Sequence, residues 1–323
     1  MPFSQHDDHG RLRHLVTLEG LSGEEIRALL DRAAYYVRPP GTIPAHSRAL
    51  DGITIGNIFT EPSTRTRSSF ELAGLRLGAD VLNLEIQLSS RVKGETVLDT
   101  IYTLQSMAVD VFVIRDAEPG VGRYVASHVQ DHVSVLSAGE AHLSHPTQGL
   151  LDALTIQQTK GDIGQLSVAV VGDVRHSRVA RSAHQVLTAL GVGELRLVAP
   201  AALMPAPEEM PGAHRYESLE DGIRDVDVVM MLRIQRERMA AAAIPDPEEY
   251  HERWGLTPNR LRLARPDAIV MHPGPMNREV EIASAVADGP QSVILRQVAN
   301  GVAVRMAVLE TVVSNRRARE SAR

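Results

Sequence analysis

A short polar stretch between a hydrophobic run and a helical pattern carries the residue types that bind a phosphate group. Residues 59–71 read FTEPSTRTRSSFE, in which Arg65 and Arg67 stand among hydroxyl residues. A helix that begins here presents unpaired N–H groups and the positive end of its dipole. Hydroxyl groups add donors, and the planar guanidinium matches the shape of a phosphate. The stretch predicts a phosphate-binding helix start, and the alternative is an ordinary capped helix with solvated arginines.

Two further predicted strands in the first half of the chain are followed by polar residues of similar type. Arg115 follows the hydrophobic run at 110–114, and the run at 133–136 leads to His145-Pro146-Thr147-Gln148. Ligands of open parallel sheets bind beyond the carboxyl ends of the strands. We therefore expect Arg65, Arg67, Arg115 and His145 to share one edge of a sheet. The alternative for His145 is a capping or core histidine, and its position after a strand and within HPTQ argues against that alternative.

The second half of the chain repeats this arrangement. Its strand ends are followed by cationic, amide or loop-forming residues, namely Arg178, Arg233, Gln235 and the segment HPGP at 272–275. Ordinary surface loops would mix the two signs of charge, whereas these stretches are biased toward cationic groups and neutral donors. The alternative is a solvated basic face, which is also the reading we keep for Arg236 and Arg238.

The composition excludes several classes of site. The chain has 323 residues, no Cys and a net charge of −6. Disulfides, thiolate nucleophiles and Cys-based metal sites are therefore absent. The negative charge and an aromatic content of 3% argue against nucleic-acid binding. Neither a Walker motif nor the dinucleotide glycine fingerprint occurs. No membrane span or signal peptide is indicated, and we expect a cytoplasmic protein that uses no metal and no cofactor.

The hydrophobic pattern alternates between strands and helices, which predicts an α/β fold with parallel sheets. The predicted strands are 53–59, 81–84, 110–115, 133–136, 166–173, 194–198, 227–231 and 268–272. The predicted helices begin at a capping box at 22–25, at Ser63, at Thr96 and at Pro146, with later helices ending at Leu190 and covering 302–314. Residues 199–225 are expected to be mostly surface connections, and the tail 315–323 a frayed end.

The pattern starts afresh after residues 160–162, which indicates two domains. We predict two doubly wound α/β domains, each a parallel sheet flanked by helices, with a hinge near the helix at 146–160. Polar residues at the strand ends of both domains suggest that the domains close around their ligands.

Six segments together resemble the aspartate/ornithine carbamoyltransferase family. They run in order over essentially the whole chain: FTEPSTRTRSSFELAGLRLGA (59–79), KGETVLDT (93–100), HPTQGLLD (145–152), GDVRHSRVARS (172–182), LRIQRER (232–238) and HPGPMNREVEI (272–282). The STRTR and HPTQ motifs mark the whole family, and the last two segments mark its aspartate branch. The ornithine branch commonly carries a Cys in an H-C-L-P motif, where this chain has HPGP.

The resemblance implies a reaction and its substrates. Carbamoyl phosphate is expected to bind residues 1–152, with the C-terminal helix 302–323 packing back on that domain, and L-aspartate to bind residues 153–301. The products are N-carbamoyl-L-aspartate and phosphate, a step of pyrimidine biosynthesis. No side chain stands out as a strong general base, so the departing phosphate is expected to collect the amine proton. Catalysis then rests on orientation and electrostatics.

The resemblance also assigns roles to individual residues. The expected catalytic residues are Arg65, Thr66, Arg115, His145 and Lys93. Carbamoyl phosphate is expected to contact these five and also Ser63, Thr64, Gln148, Ser89, Gly274 and Pro275. Aspartate is expected to contact Lys93, Arg178, Arg233 and Gln235. Arg67 has no assigned contact and is expected to brace the loop.

The family resemblance implies a homotrimer in which a loop of the neighbouring chain, here with Ser89 and Lys93, completes each site. Lys93 is notable because only two of the 34 basic residues are lysines, the other being Lys160. A compact ammonium is suited to a place where the larger arginine fork does not fit. Chance retention is the alternative for Lys93, since no comparable role is expected for Lys160.

Other functions stay open at this stage. The chain could carbamoylate another amino acceptor such as ornithine, or act as a non-catalytic subunit of a pyrimidine-pathway complex. A regulatory chain or a dihydroorotase could join the trimer in a larger assembly. The presence of Arg65, Lys93, His145 and Arg233 favours an enzyme over a scaffold.

Overall fold

The chain forms two compact units, each built around its own parallel sheet. A computed structural model describes residues 3–39, 42–84, 96–235 and 246–322. The first unit comprises Met1–Gly20, Arg27–Leu150 and Ala299–Arg323, and the second comprises Leu21–Ile26 and Leu151–Val298. The predicted fold class, two parallel sheets flanked by helices, is confirmed.

Four parallel strands form the sheet of the first unit, in the order β2-β1-β3-β4. Their bounds are β1 Thr54–Phe59, β2 Asp80–Leu84, β3 Val111–Asp116 and β4 Ser134–Glu140. All seven residues of β4 are buried, as are five of the six in β3. Such runs are typical of parallel strands that are covered on both faces. The register places Phe59 opposite Arg115, so the ends of β1 and β3 lie side by side.

The second unit holds five parallel strands in the order β7-β6-β5-β8-β9. Their bounds are β5 Ser167–Val171, β6 Glu194–Val198, β7 His214–Tyr216, β8 Val228–Met231 and β9 Ile269–Met271. The central strands consist mainly of Val, Leu, Ile and Met and are buried, which is why their hydrophobic runs were readable in the sequence.

Helices connect these strands and cover the sheets. Their bounds in the first half are α1 Gly23–Tyr36, α2 Thr64–Arg76, α3 Val97–Ser106, α4 Val121–Ala126 and α5 Pro146–Lys160. In the second half they are α6 Arg178–Ala189, α7 Leu219–Gly222, α8 Pro247–Trp254, α9 Pro258–Leu261, α10 Ser284–Ala287 and α11 Ile294–Glu320. Short 3-10 turns lie at Ile163–Gln165, Ala201–Leu203 and Pro207–Glu209.

Several helix starts agree with their sequence signals. The predicted capping box before α1 is present, because the Ser22 amide donates to Glu25 Oε2 at 2.8 Å and the Glu25 amide donates to Ser22 Oγ at 3.2 Å. Helix α5 begins at Pro146, as predicted. Thr96 caps α3 in a second capping box with Asp99.

Helix α2 packs closely on the sheet because it carries a glycine. A Cβ at Gly74 would lie 2.7 Å from Val81 Cγ2 and 2.9 Å from Ile55 Cδ1. A larger residue would push the helix away from β1 and β2. The position of Gly74 therefore helps to fix where the start of α2 lies relative to the end of β1.

The segment 199–225 is mostly connecting chain, as expected, and it also contains the edge strand β7 and helix α7. The expectation of a frayed tail at 315–323 was wrong, because α11 runs from Ile294 to Glu320. Asn315 Nδ2 donates to the Leu12 carbonyl at 2.9 Å, and Arg316 Nη1 lies 2.5 Å from Asp110 Oδ1. These bonds hold the last turns of α11 against the first unit.

None of the helices in the described residues combines the length and the apolar composition that a membrane span needs.

Candidate active site

The start of α2 presents the STRTR stretch at the end of β1. Ser63 is the N-cap in an extended conformation, and the Arg67 amide donates to the Ser63 carbonyl at 3.1 Å. The Ser63 hydroxyl makes no capping hydrogen bond. Thr64 and Arg65 are exposed, whereas Thr66 is buried. The predicted helix start is thus present, with Arg65 on its open side.

Arg115 is held at the end of β3 by groups from both neighbouring strand ends. Its Nη1 donates to the Ala138 carbonyl of β4 at 3.2 Å, and its Nη2 lies 3.1 Å from Glu61 Oε2. The Thr60 hydroxyl donates to the Arg115 carbonyl at 3.2 Å. Arg115 belongs to the strand itself rather than to the loop after it, and its guanidinium is oriented before any ligand arrives.

His145 and Gln148 lie at the start of α5, beyond the end of β4. The amide of Glu140 donates to the Ser144 carbonyl at 2.8 Å, so the chain folds back on itself before it reaches His145. The backbone N–H of Gln148 donates to the His145 carbonyl at 2.9 Å. Both side chains are buried. Their fixed backbone makes them suitable as preorganised hydrogen-bonding groups.

In the second unit, Asp173 joins the ends of β5 and β8. Its carboxyl group is fully buried. It accepts hydrogen bonds from the backbone N–H of Gln235 at 3.2 Å and from His176 Nδ1 at 2.8 Å. Gly172 has a φ of +121° and lets the end of β5 lie close to the chain that follows β8. A Cβ at Gly172 would lie 2.8 Å from the Leu232 carbonyl oxygen. The sequence predicts no role for Asp173, because its partner Gln235 lies 62 residues away along the chain.

Arg178 and Arg233 lie near these two strand ends. Arg178 is the first residue of α6, where Ser177 is the N-cap and its Oγ accepts from the Ala180 amide at 3.1 Å. The Arg178 side chain is buried, which is unusual for an arginine. Arg233 follows β8 by two residues and is half-buried. The second unit therefore places two guanidinium groups and the Gln235 loop beyond one edge of its sheet.

The segment 272–281 follows β9 and starts with the predicted HPGP turn. Gly274 has φ of +64°, a left-handed conformation that favours glycine, and the Gly274–Pro275 peptide bond is cis. Near this segment, burial together with the carboxyl groups of Glu281 and Asp173 raises the pKa of Tyr250. Tyr250 and Glu281 were not identified from the sequence, although Glu281 falls in a quoted motif.

Some of the predicted residues cannot be placed. Ser89 and Lys93 lie outside the described residues, as do Arg236 and Arg238. Gly274 and Pro275 lie in the second unit, whereas the other described residues expected to contact carbamoyl phosphate lie in the first.

Across residues 3–39, 42–84, 96–235 and 246–322, no group of three or more His, Asp or Glu side chains is arranged to hold a metal ion.

Lys160 has a structural role that the sequence did not show. Its ammonium lies 2.6 Å from Asp267 Oδ2 and 3.8 Å from Asp227 Oδ1. Asp227 also accepts from the Ser167 amide at 2.9 Å. Lys160 thus connects the end of α5 with the starts of β5, β8 and β9.

The described fold and site define a two-domain α/β protein with guanidinium and other polar side chains at the carboxyl ends of both sheets. Residues 13–158 match the family model described as aspartate/ornithine carbamoyltransferase, carbamoyl-P binding domain. Residues 164–312 match the model described as aspartate/ornithine carbamoyltransferase, Asp/Orn binding domain. The chain belongs to the aspartate/ornithine carbamoyltransferase family and is a carbamoyltransferase.

Solved structures of both branches of the family are similar to this chain. Aspartate transcarbamoylase from Trypanosoma cruzi, in complex with aspartate and phosphate, is 31% identical, with a TM-score of 0.80 and coverage of 93% of this chain and 94% of that chain. Ornithine carbamoyltransferase from Pyrococcus furiosus is 29% identical, with a TM-score of 0.81 and coverage of 94% and 97%. Ornithine carbamoyltransferase from Thermus thermophilus, at 24% identity and a TM-score of 0.82 over 93% and 99%, shares the fold.

Proposed function

We propose that the protein transfers the carbamoyl group of carbamoyl phosphate to the amine of L-aspartate, which makes it an aspartate carbamoyltransferase of pyrimidine biosynthesis. The observation that carries the choice of acceptor is the pair of guanidinium groups, Arg178 and Arg233, beyond the strand ends of the second unit. Two guanidinium groups complement the two carboxylates of aspartate. The side-chain cation of ornithine would be repelled by the same pair.

The donor binds the first unit in this proposal. We assign residues 1–152 and 302–323 to the carbamoyl phosphate-binding domain and residues 153–301 to the aspartate-binding domain. The phosphate is held by the start of α2 and by Arg115, through Ser63, Thr64, Arg65 and Thr66. This assignment is supported by the helix start, which offers backbone N–H groups to an anion.

The carbamoyl group is oriented by side chains that the fold already fixes. Arg65, Thr66, Arg115 and His145 donate to its carbonyl oxygen, and the side-chain oxygen of Gln148 accepts from its NH2 group. Backbone groups of Gly274 and Pro275 complete the donor site. Buried His145 suits this role, because a preorganised donor needs no rearrangement when charge develops on the oxygen. Gln148, which is also buried, suits its role as a fixed acceptor.

The reaction then follows from charge and geometry. The aspartate amine attacks the carbonyl carbon, and a C–N bond forms while negative charge develops on the carbonyl oxygen. The bond between the carbonyl carbon and the phosphate oxygen breaks, and phosphate leaves with the electron pair. The amine proton passes to the departing phosphate, so the balanced products are N-carbamoyl-L-aspartate and phosphate. Arg178, Arg233 and Gln235 hold the acceptor in place for the attack.

We also propose that the protein is a homotrimer in which Ser89 and Lys93 of a neighbouring chain complete each site. Support comes from exposed apolar residues on α2 and on the edge strand β2, namely Leu72, Leu75 and Leu82. An edge strand with apolar neighbours is suited to contact with another chain. Substituting Lys93→Gln is expected to reduce turnover severely in this arrangement.

A carbamoyltransferase for ornithine is the second candidate. The observation that favours it is the likeness to the Pyrococcus furiosus enzyme, whose identity of 29% is close to the 31% of the Trypanosoma cruzi enzyme. The absence of Cys, and with it of the H-C-L-P motif, argues against it.

The test compares acceptors and one acceptor-site variant. The wild-type enzyme is expected to give a kcat/KM for aspartate at least about 100-fold higher than for ornithine. Arg233→Ala is expected to lose most of the kcat/KM for aspartate. Arg262→Ala is the matched control, because Arg262 is exposed and its guanidinium donates to Asn259. Equal activity of Arg233→Ala and wild type with aspartate would contradict the acceptor assignment.

A further inference from the structure

A buried histidine directly after β9 holds the beginning of the segment 273–280. Nδ1 of His272 accepts a hydrogen bond from the Gly274 amide at 2.8 Å. A backbone amide can only donate, so Nδ1 must be the accepting nitrogen of the imidazole. The ring proton of neutral His272 then lies on Nε2. The side chain is fully buried, so its tautomer is set by these partners rather than by water.

The other ring nitrogen connects His272 with the far end of the same segment. Nε2 lies 3.2 Å from Glu281 Oε1. The same oxygen accepts a hydrogen bond from the backbone N–H of Asn277 at 2.5 Å. Glu281 is fully buried, and its backbone carbonyl accepts from the Leu256 amide at 3.0 Å. The segment is thus fixed at Gly274 and at Asn277 by one pair of side chains, His272 and Glu281.

The pair is itself anchored to residues of two helices. The His272 amide donates to Gln297 Oε1 at 3.1 Å, and Gln297 Nε2 donates to Asp152 Oδ1 at 2.6 Å. Gln297 and Asp152 are each 1% exposed. Helices α11 and α5 therefore determine where the His272 backbone lies, and His272 in turn determines where the segment 273–280 lies.

Such a network is a costly way to fill a core. Buried polar groups give little net stability compared with well-packed apolar side chains. They do impose a specific geometry, because each hydrogen bond is satisfied in one arrangement only. The geometry imposed here is that of the backbone of Gly274 and Pro275.

We propose that His272 and Glu281 are positioning residues, which orient the backbone of Gly274 and Pro275 for contact with carbamoyl phosphate. This inference rests on the proposed function for its effect on catalysis. The two residues have separate roles: the accepting nitrogen of His272 fixes Gly274, and the carboxyl group of Glu281 fixes Asn277.

Two substitutions of His272 separate its two hydrogen bonds. His272→Asn places an accepting oxygen near the position of Nδ1 and can keep the Gly274 bond. His272→Gln places a donating amide near the position of Nε2 and can keep only the bond to Glu281. We expect kcat/KM for carbamoyl phosphate to fall by about 10- to 100-fold in His272→Gln, because small misplacements of binding groups are costly. We expect His272→Asn to stay within about fivefold of wild type.

Asp288→Asn serves as the control, because Asp288 contacts the segment 273–280 through its ion pair with Arg278. Asp288 forms an exposed ion pair with Arg278 at 2.6 Å, and its loss is expected to leave kcat/KM unchanged. A His272→Gln variant that matches His272→Asn within twofold would overturn the proposal, and so would wild-type activity in both.

Hydrogen exchange gives a readout that needs neither turnover nor the His272 variants. In full-length Glu281→Ala, the amides of Gly274 and Asn277 are expected to exchange at least about tenfold faster than in wild type, while amides of β5 and β8 keep their rates. Unchanged exchange at both amides would overturn the proposal. If wild-type protein forms no carbamoyl-aspartate, the proposed function fails, yet the exchange result still tests whether Glu281 holds the segment.

Discussion

Arg115 and Glu61 form an ion pair at the end of the first sheet, with 3.1 Å between Nη2 and Oε2. Both side chains are largely shielded from solvent, with 11% and 26% exposure. Glu61 keeps the guanidinium in place. If Arg115 binds the phosphate as proposed, the negative charge of Glu61 also opposes the arriving phosphate, and the ion pair lowers the affinity for the donor while it orients the guanidinium.

Neutralising Glu61 is expected to strengthen binding of the donor. Glu61→Gln keeps an accepting oxygen beside Arg115 and removes one negative charge near the phosphate. We expect the Kd of carbamoyl phosphate, measured by calorimetry without acceptor, to fall about three- to tenfold, equivalent to roughly 1 kcal/mol. The matched variant Glu71→Gln makes the same charge change farther along α2 and is expected to change Kd by less than about twofold. Weaker binding in Glu61→Gln would show that orientation of Arg115 matters more than repulsion.

Lys160 is expected to matter for stability. Lys160→Met leaves the buried Asp227 with Arg265, which lies 3.2 Å away, as its remaining cationic partner. Removing one member of a buried ion pair is destabilising, and we expect a loss of about 2 kcal/mol because Arg265 compensates in part. Calorimetric unfolding of the second unit measures the loss. Asp267→Asn changes the exposed partner of Lys160 and is the control, for which we expect an unchanged melting temperature. Equal melting temperatures of Lys160→Met and wild type would refute the role of Lys160.

The end of α11 is expected to stabilise the first unit. Arg316→Ala removes the bond to Asp110, whose other carboxyl oxygen accepts from the Thr54 amide at 2.9 Å. We expect a loss of roughly 1–2 kcal/mol in the free energy of unfolding, measured in urea. Glu320→Gln removes only the more exposed (i, i+4) partner of Arg316 and is expected to change stability by less than about 0.5 kcal/mol. Similar values for the two variants would mean that the Asp110 bond contributes nothing specific.

His14 is expected to make the first unit sensitive to acid. Its Nδ1 accepts from the Val135 amide at 3.0 Å, and burial, with help from the charges of Arg13 and Arg319, lowers its pKa to about 3. The unfolded chain, with a pKa near 6.5, binds the proton first. Stability is therefore complete above about pH 6.5 and declines as the pH falls toward 3, by roughly 1.4 kcal/mol per pH unit from this residue alone.

An asparagine at position 14 tests this pH dependence. His14→Asn can keep an acceptor for the Val135 amide and cannot be protonated in this range. The slope of unfolding free energy against pH between 6 and 4 is expected to be shallower than in wild type. The exposed His9→Asn variant should keep the wild-type slope. Parallel slopes for His14→Asn and wild type would contradict the assignment.

Most of the fold was predictable because its strands are continuous apolar runs. The exceptions have physical reasons. Strand β7 reads HRY and is largely exposed at the sheet edge, so it has no apolar signature. Helix α11 begins at Ile294, eight residues before the predicted 302, because the buried polar residues Gln297 and Asn300 interrupt its apolar pattern.

The residue types of the site were also readable, since motifs such as STRTR and HPTQ are local. Their partners were not. Glu281 and Gln297 lie 9 and 25 residues from His272, and Asp152 lies 145 residues from Gln297. Hydrogen bonds of this span leave no periodic signal in one sequence. The roles assigned to the site residues stay predictions, and Ser89 and Lys93 also lie outside the described residues.

The central claim is carbamoyl transfer to aspartate, and a competition between acceptors tests it most directly. The purified enzyme is given carbon-13-labelled carbamoyl phosphate with equal concentrations of L-aspartate and L-ornithine, and the products are followed by NMR. We predict labelled N-carbamoyl-L-aspartate as the dominant product, released together with one equivalent of phosphate. Carbamoyl-ornithine as the main product, or no carbamoylated amino acid at all, would contradict the account.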